Sequence, residues 1–232
     1  SMFTLPDSIR LSAFDWDGTL FDSTALIALC LQEAVVDVGG ARPSDDRARH
    51  VIGLGLQEAL QQAAPDVPPE RYRVLTERYR YHYARHMDDI LLFKGVPELL
   101  HDLHRAGYLL AVATGKSRRG LDEALRAVQL QHLFDATRTA DETASKPDPL
   151  MLFELMEELD VSAAQTLMVG DTSHDLLMAR QAGCLGVAVT YGAHDSVSLA
   201  QLDPLFTAGS VPELRRWLLP GAIPADRSHA GL

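Results

Sequence analysis

Basic residues are scarce in this chain. Twenty-one lysines and arginines face thirty-two aspartates and glutamates across 232 residues, a net charge of −11, and only Lys94, Lys116 and Lys146 are lysines. A protein that grips a phosphate backbone wants a broad positive face, so nucleic acid is not an expected partner. A small anion held in a locally positive pocket is not excluded. Cysteine is nearly absent: Cys30 and Cys184 stand far apart in apolar stretches, which fits buried reduced thiols and neither a disulfide framework nor a cysteine metal cluster. No apolar run approaches membrane-spanning length and nothing reads as a secretory signal, so no membrane partner is expected and the cytoplasm is the expected compartment. What remains is an ordinary globular mixture, 47% hydrophobic and 23% charged, long enough for one main domain with a modest insertion. A monomer or a homodimer is the expected assembly.

Short apolar runs alternate with helical patterns. Candidate strands are Leu11–Asp15, Leu109–Thr114, Thr166–Asp171 and Gly186–Thr190, with a weaker one near Phe134–Thr137. Nearly continuous apolar runs fit strands covered on both faces, and helical spacing between them implies a doubly wound, mostly parallel α/β sheet. The stretch from Phe21 to Leu92 breaks the alternation, because it holds only helical patterns. Asp22 or Ser23 can start a helix that Gly39-Gly40 stops, and Pro65, Pro68 and Pro69 mark a break between later helices. The expected organisation is therefore an α/β core over residues 1–20 and 93–219, an all-helical cap over residues 21–92, and a disordered tail over residues 220–232.

Acidic residues sit where the apolar runs end. Asp15 and Asp17 close the first, in Asp15-Trp16-Asp17-Gly18-Thr19, and Asp171 and Asp175 follow a later one, in Gly170-Asp171-Thr172-Ser173-His174-Asp175. Ligands of open α/β sheets bind beyond the carboxyl ends of strands, so these carboxylates should converge. Four carboxylates in one crevice raise one another's pKa, and a hard cation such as Mg²⁺ relieves that repulsion. Thr114-Gly115-Lys116-Ser117 offers a hydroxyl and backbone N–H groups at a helix start, and Lys146 offers a further positive charge. A hydroxyl, a lysine, a metal and a carboxylate nucleophile together make a phosphoryl-transfer site for a small phosphorylated metabolite.

With these motifs in this order, the chain resembles the haloacid dehalogenase superfamily and, within it, the phosphoglycolate-phosphatase-like group. DWDGT (Asp15–Thr19), ATGKS (Ala113–Ser117), SKPDP (Ser145–Pro149) and GDTSHD (Gly170–Asp175) match the four motifs, and the helical insertion falls between the first two. The resemblance implies an α/β core with a helical cap and a Mg²⁺-dependent phosphatase working through an aspartyl phosphate. It casts Asp15 as nucleophile and Asp17 as the acid and base. The metal would be held by Asp15, the Asp17 backbone carbonyl and Asp171, and the phosphoryl oxygens by Thr114, Gly115 and Lys146. Asp175 would orient metal-bound water or Lys146, and Thr19 would steady Asp17. Arg49, His50, Gly53 and Gly55 are candidates for substrate specificity.

The residues also bear on related chemistries. A dehalogenase has no use for Asp17, and a phosphonate-cleaving relative needs a cap lysine that the insertion lacks. A sugar phosphomutase shares the nucleophile and the acid/base aspartate and stays as the alternative; a non-catalytic phosphometabolite-binding protein is the second. His174 reads as a loop histidine. His82 and His86, like the pair His101 and His104, read as exposed helix faces. The Arg- and Tyr-rich stretch Arg71–Arg85 reads as an amphipathic helix with solvated charges.

Overall fold

In the computed structural model, which describes residues 4–221, the apolar runs lie side by side as parallel strands. They are β1 (Leu11–Phe14), β2 (Leu109–Thr114), β3 (Ala136–Thr139), β4 (Thr166–Gly170), β5 (Leu185–Val189) and β6 (Phe206–Ala208), arranged β3-β2-β1-β4-β5-β6. In register, Leu11 lies opposite Leu109 on one side and Thr166 on the other. Side chains alternate across the sheet. Phe14, Leu110, Val112, Val169 and Val187 join one apolar cluster, while Leu11, Ala13, Ala111, Ala113 and Met168 join another. Helices α5 (Val96–Arg105), α6 (Arg118–Val128) and α10 (Val211–Leu218) feed the first cluster, and α7 (Leu150–Leu159) and α8 (Ser173–Ala182) the second. The doubly wound α/β class read from the sequence is the architecture found.

Four helices are inserted between β1 and α5: α1 (Thr24–Asp37), α2 (Asp45–His50), α3 (Leu56–Ala63) and α4 (Tyr72–His86). They have an apolar cluster of their own, built around Leu31, Val35, Val51, Leu60 and Leu75. The two chain crossings into this helical layer run side by side. Asp22 N donates to Leu91 O at 2.8 Å, and Phe93 N to Leu20 O at 2.9 Å.

Several boundaries differ from the sequence reading. The weak strand, expected near Phe134–Thr137, lies at Ala136–Thr139, and the Asp135 carboxylate just ahead of it takes the Leu110 N–H. The strand β6, and the short helix α9 (Ser196–Ala200), carry no sequence pattern long enough to show. Thr172 caps α8, so the helix opens ahead of Asp175, which closes a capping box as its third residue. The expected tail from Pro220 lies, beyond Gly221, outside the described residues.

Candidate active site

Strand order reverses at β1, whose neighbours β2 and β4 lie on opposite sides, and this switch point is where the carboxylates meet. Asp15 follows β1 and Asp171 follows β4, while Asp175 points back from the first turn of α8; all three are buried, with carboxylate oxygens within 4.8 Å of one another. Lys146, fully enclosed before α7, bridges two of them, with its Nζ 2.9 Å from Asp15 Oδ1 and 2.8 Å from Asp175 Oδ1. Asp15 Oδ1 also accepts from Trp16 N at 2.7 Å. Asp175 Oδ2 accepts from the backbone and the hydroxyl of Thr172.

These enclosed charges set each other's protonation. Burial first, then Asp175 and Asp171, push the Asp15 carboxyl well above the usual range against the opposing pull of Lys146. Burial and the Asp175 charge push Asp171 up to about 6. Burial raises Asp175 as well, but Lys146 and the Thr172 hydrogen bonds outweigh it and hold it low. The ion pairs likewise overcome burial at Lys146 and keep it an ammonium.

Asp17 sits at the edge of this group. Ser23 Oγ, from the start of the helical layer, donates to Asp17 Oδ1 at 2.8 Å. Lys116 Nζ lies 3.6 Å from Asp17 Oδ2 and donates to Tyr83 OH of α4 at 3.1 Å. Thr19, expected beside Asp17, instead donates to Asp171 Oδ1 at 2.9 Å, because the turn after Gly18 carries it across to β4. The turn needs a glycine: φ is +83° at Gly18, and a Cβ there would strike Asp171 Oδ2. Thr114 is buried at the end of β2, where its hydroxyl accepts from Lys116 N at 3.1 Å.

The helical layer is closed over these groups. Gly115 is pressed against the Gly53 and Leu54 carbonyls; a Cβ on Gly115 would lie 2.5 Å from Gly53 O. A Cβ on Gly53 would come within 3.8 Å of Asp15 Oδ2, so the loop after α2 roofs the Asp15 carboxylate. Gly55 N donates to Ser145 Oγ at 2.9 Å. Arg49 is exposed.

His50 meets two core histidines through its backbone. Its carbonyl accepts from His174 Nε2 at 2.6 Å and from His194 Nε2 at 3.0 Å. His174 is therefore a buried member of α8 and not a loop residue, since its ring fills the seam under α2. Burial pushes its pKa down to about 4. The three rings form a cluster that could suit a metal, but both Nε2 atoms already serve the carbonyl and His194 Nδ1 accepts from Ser173 N. His82 is also tied, 2.6 Å from Asp37 of α1, which Arg78 joins at 2.9 Å. Ser23 stood out only as a helix start and Tyr83 only within an amphipathic helix, and His194 carries no local pattern, so their contacts across the fold could not be read from the chain; Lys116 alone stood in a motif.

The donor set fits a hard cation. Asp15 Oδ2 is buried with no hydrogen-bond partner among the described residues, and the all-oxygen carboxylate cluster around it is short of positive charge. No helix among the described residues is long and apolar enough to cross a membrane.

Known proteins resemble this chain over most of its length. Residues 13–189 match the family model described as haloacid dehalogenase-like hydrolase. The phosphoglycolate phosphatase of Vibrio cholerae is 32% identical over 226 residues, covering 93% of this chain and 99% of that one. A protein of Dickeya dadantii named "probable phosphatase IndB" is 39% identical over 203 residues, covering 84% and 86%. A crystal structure described as a predicted phosphoglycolate phosphatase from Haemophilus somnus superposes with a TM-score of 0.78 at 28% identity, covering 88% of this chain and 95% of that one. The chain thus belongs to the haloacid dehalogenase-like hydrolases.

Proposed function

We propose that this hydrolase is a Mg²⁺-dependent phosphatase that cleaves a small phosphomonoester through an aspartyl phosphate on Asp15. The observation that carries the reading is the orphaned Oδ2 of Asp15, enclosed at a strand end beside Asp17, Asp171 and Lys146. Asp15 attacks phosphorus in line while Asp17 protonates the departing ester oxygen. Asp17 then takes a proton from water, whose oxygen bonds phosphorus as the Asp15–phosphorus bond breaks. Lys146 and the Thr114 hydroxyl neutralise the phosphoryl oxygens, and the backbone at Gly115 frames them. Asp15, the Asp17 backbone carbonyl and Asp171 would hold Mg²⁺, which when bound supplies the charge that keeps both carboxylates ionised. Thr19 and the Ala193 N–H fix Asp171, the latter at 2.8 Å, and Asp175 fixes Lys146. Residues 21–92 act as a cap that opens to admit substrate, with hinges at Leu20–Ser23 and Leu92–Gly95.

The name shared by several relatives makes 2-phosphoglycolate the first substrate to test, although the 39% identical relative is named only as a phosphatase. Phosphate release from a panel of phosphomonoesters, with Mg²⁺ or with EDTA, tests the reading. The expected result is metal-dependent release that Asp15→Asn abolishes. Release that survives Asp15→Asn, or that ignores EDTA, would overturn it.

A further inference from the structure

Two ammonium groups lie among the carboxylates, and they are paired differently. Lys146 is locked between Asp15 and Asp175. Lys116 is also largely enclosed, its side chain 12% exposed, yet at 3.6 Å its Nζ stands too far from Asp17 Oδ2 for a good hydrogen bond. Among the described residues its nearest hydrogen-bond partner is the Tyr83 phenol oxygen, and the Tyr83 ring lies beneath it at 4.8 Å. An enclosed ammonium with spare protons is expensive to keep in a fold unless something else satisfies it. Tyr83 has spare capacity of the same kind: it accepts from Lys116, and burial reinforced by the Asp17 charge raises its pKa, so its own O–H proton stays available. An ammonium and a phenol O–H side by side present two donors to one anionic group.

Their position says which anion. Ser23 occupies Asp17 Oδ1, so Oδ2 is the oxygen free to pass a proton, and Oδ2 is the atom that faces Lys116. A leaving oxygen protonated by Oδ2 therefore emerges beside Lys116 and Tyr83. A carboxylate one carbon from that oxygen would reach both donors.

We infer that Lys116 and Tyr83 form the subsite for an anionic group on the leaving alcohol, which directs the enzyme to phosphate esters of α-hydroxy acids over esters of neutral alcohols. The inference rests on the phosphatase reading and names its substrate class. Tyr83 belongs to the helical layer and Lys116 to the core, so the subsite is complete only when the layer is closed, and an acid-bearing substrate holds it closed.

The test compares kcat/KM for 2-phosphoglycolate and for its neutral amide, which has the same size. Wild type should prefer the acid by about 30-fold or more, chiefly through KM, since the carboxylate is present in ground and transition states alike. Lys116→Met should bring the ratio to within a few-fold of one, Lys116→Arg should keep part of it, and Tyr83→Phe should lower it several-fold. Melting curves report whether each variant is folded. A wild-type ratio near one overturns the inference without any variant. So does a Lys116→Met protein that loses activity on both esters equally, since Lys116 would then act through Asp17. If wild type hydrolyses neither ester nor p-nitrophenyl phosphate, the phosphatase reading fails and the inference fails with it; hydrolysis of p-nitrophenyl phosphate with no acid preference overturns the inference alone.

Discussion

Replacing Asp171 by Asn should make the metal-free protein more stable at neutral pH and less stable in acid. Asp171 has a folded pKa pushed up to about 6 by burial and the Asp175 charge. An unfolded chain returns it to about 3.9, so the folded state binds the extra proton between those values, and stability falls as pH rises through them. The two-unit gap corresponds to about 3 kcal/mol of destabilisation at pH 7 that Asn removes. Asn has its own cost. The Asp171 oxygens accept from Thr19 Oγ1 and from Ala193 N, and an amide can accept only one of these, which costs about 1 kcal/mol at every pH. The balance is a gain of about 2 kcal/mol at pH 7, or about 4–8 °C in melting temperature for a chain of this size, and a loss of about 1 kcal/mol near pH 4. Thermal melts in EDTA across that range measure it, and the change of sign is the readout. A difference between variant and wild type that stays constant with pH would refute the charge argument. Saturating Mg²⁺ should raise wild type by about 2.7 kcal/mol at a hundredfold excess over its dissociation constant and leave Asp171→Asn almost unmoved.

Three further perturbations follow from the same contacts. Lys146→Met leaves Asp15 and Asp175 enclosed without their cation; hydrolysis should vanish, and metal-free melting at pH 7 should drop by about 10 °C for a loss of about 3–5 kcal/mol, whereas unchanged melting would show the pair to be neutral already. Gly115→Ala drives a methyl against the Gly53 and Leu54 carbonyls, so KM should rise at least about tenfold with little change in melting, and faster hydrogen exchange at Gly55 N–H would report the opened seam. His174 is held neutral with a folded pKa of about 4, below its unfolded 6.5, so its share of stability, at most about 3 kcal/mol, is lost as pH falls through that window. His174→Gln, which keeps a donor for the His50 carbonyl, should flatten the acid limb of the melting profile; an equally steep limb would place the loss elsewhere.

The central strands were legible because β1, β2 and β4 are covered on both faces and read as unbroken apolar runs. The three-residue edge strand β6 was not, since Phe206–Ala208 is too short for a pattern to show. Asp15, Asp17, Asp171 and Asp175 could be picked out because an acid at the end of an apolar run is locally conspicuous. Of the partners that hold them, Lys146 could be named from its motif, and most of the others could not be paired correctly. Thr19 finds Asp171 152 positions away, Lys116 finds Tyr83 33 positions away, and His174 and His194 converge on one carbonyl from 124 and 144 positions away. Spacing along the chain carries no trace of such pairings, which arise only when the helical layer settles on the sheet.

That settling also explains why a strongly acidic chain can serve an anionic substrate. The closed layer encloses Asp15, Asp17, Asp171 and Asp175 with Lys116 and Lys146, so with every carboxylate ionised the chain's own groups leave two uncompensated negative charges, the amount that one Mg²⁺ would cancel. Low dielectric magnifies that imbalance, and it is greatest when the layer is shut and water is excluded. On the proposed metal-dependent reading, cation binding and closure favour one another, by linkage that must run in both directions. The seam is closed partly by backbone groups, the carbonyls of His50, Gly53 and Leu54 and the N–H of Gly55, and partly by Ser23 on the Asp17 carboxylate and the Lys116 ammonium on Tyr83. Charge balance beneath the layer therefore acts together with these seam contacts in setting how tightly the layer stays shut.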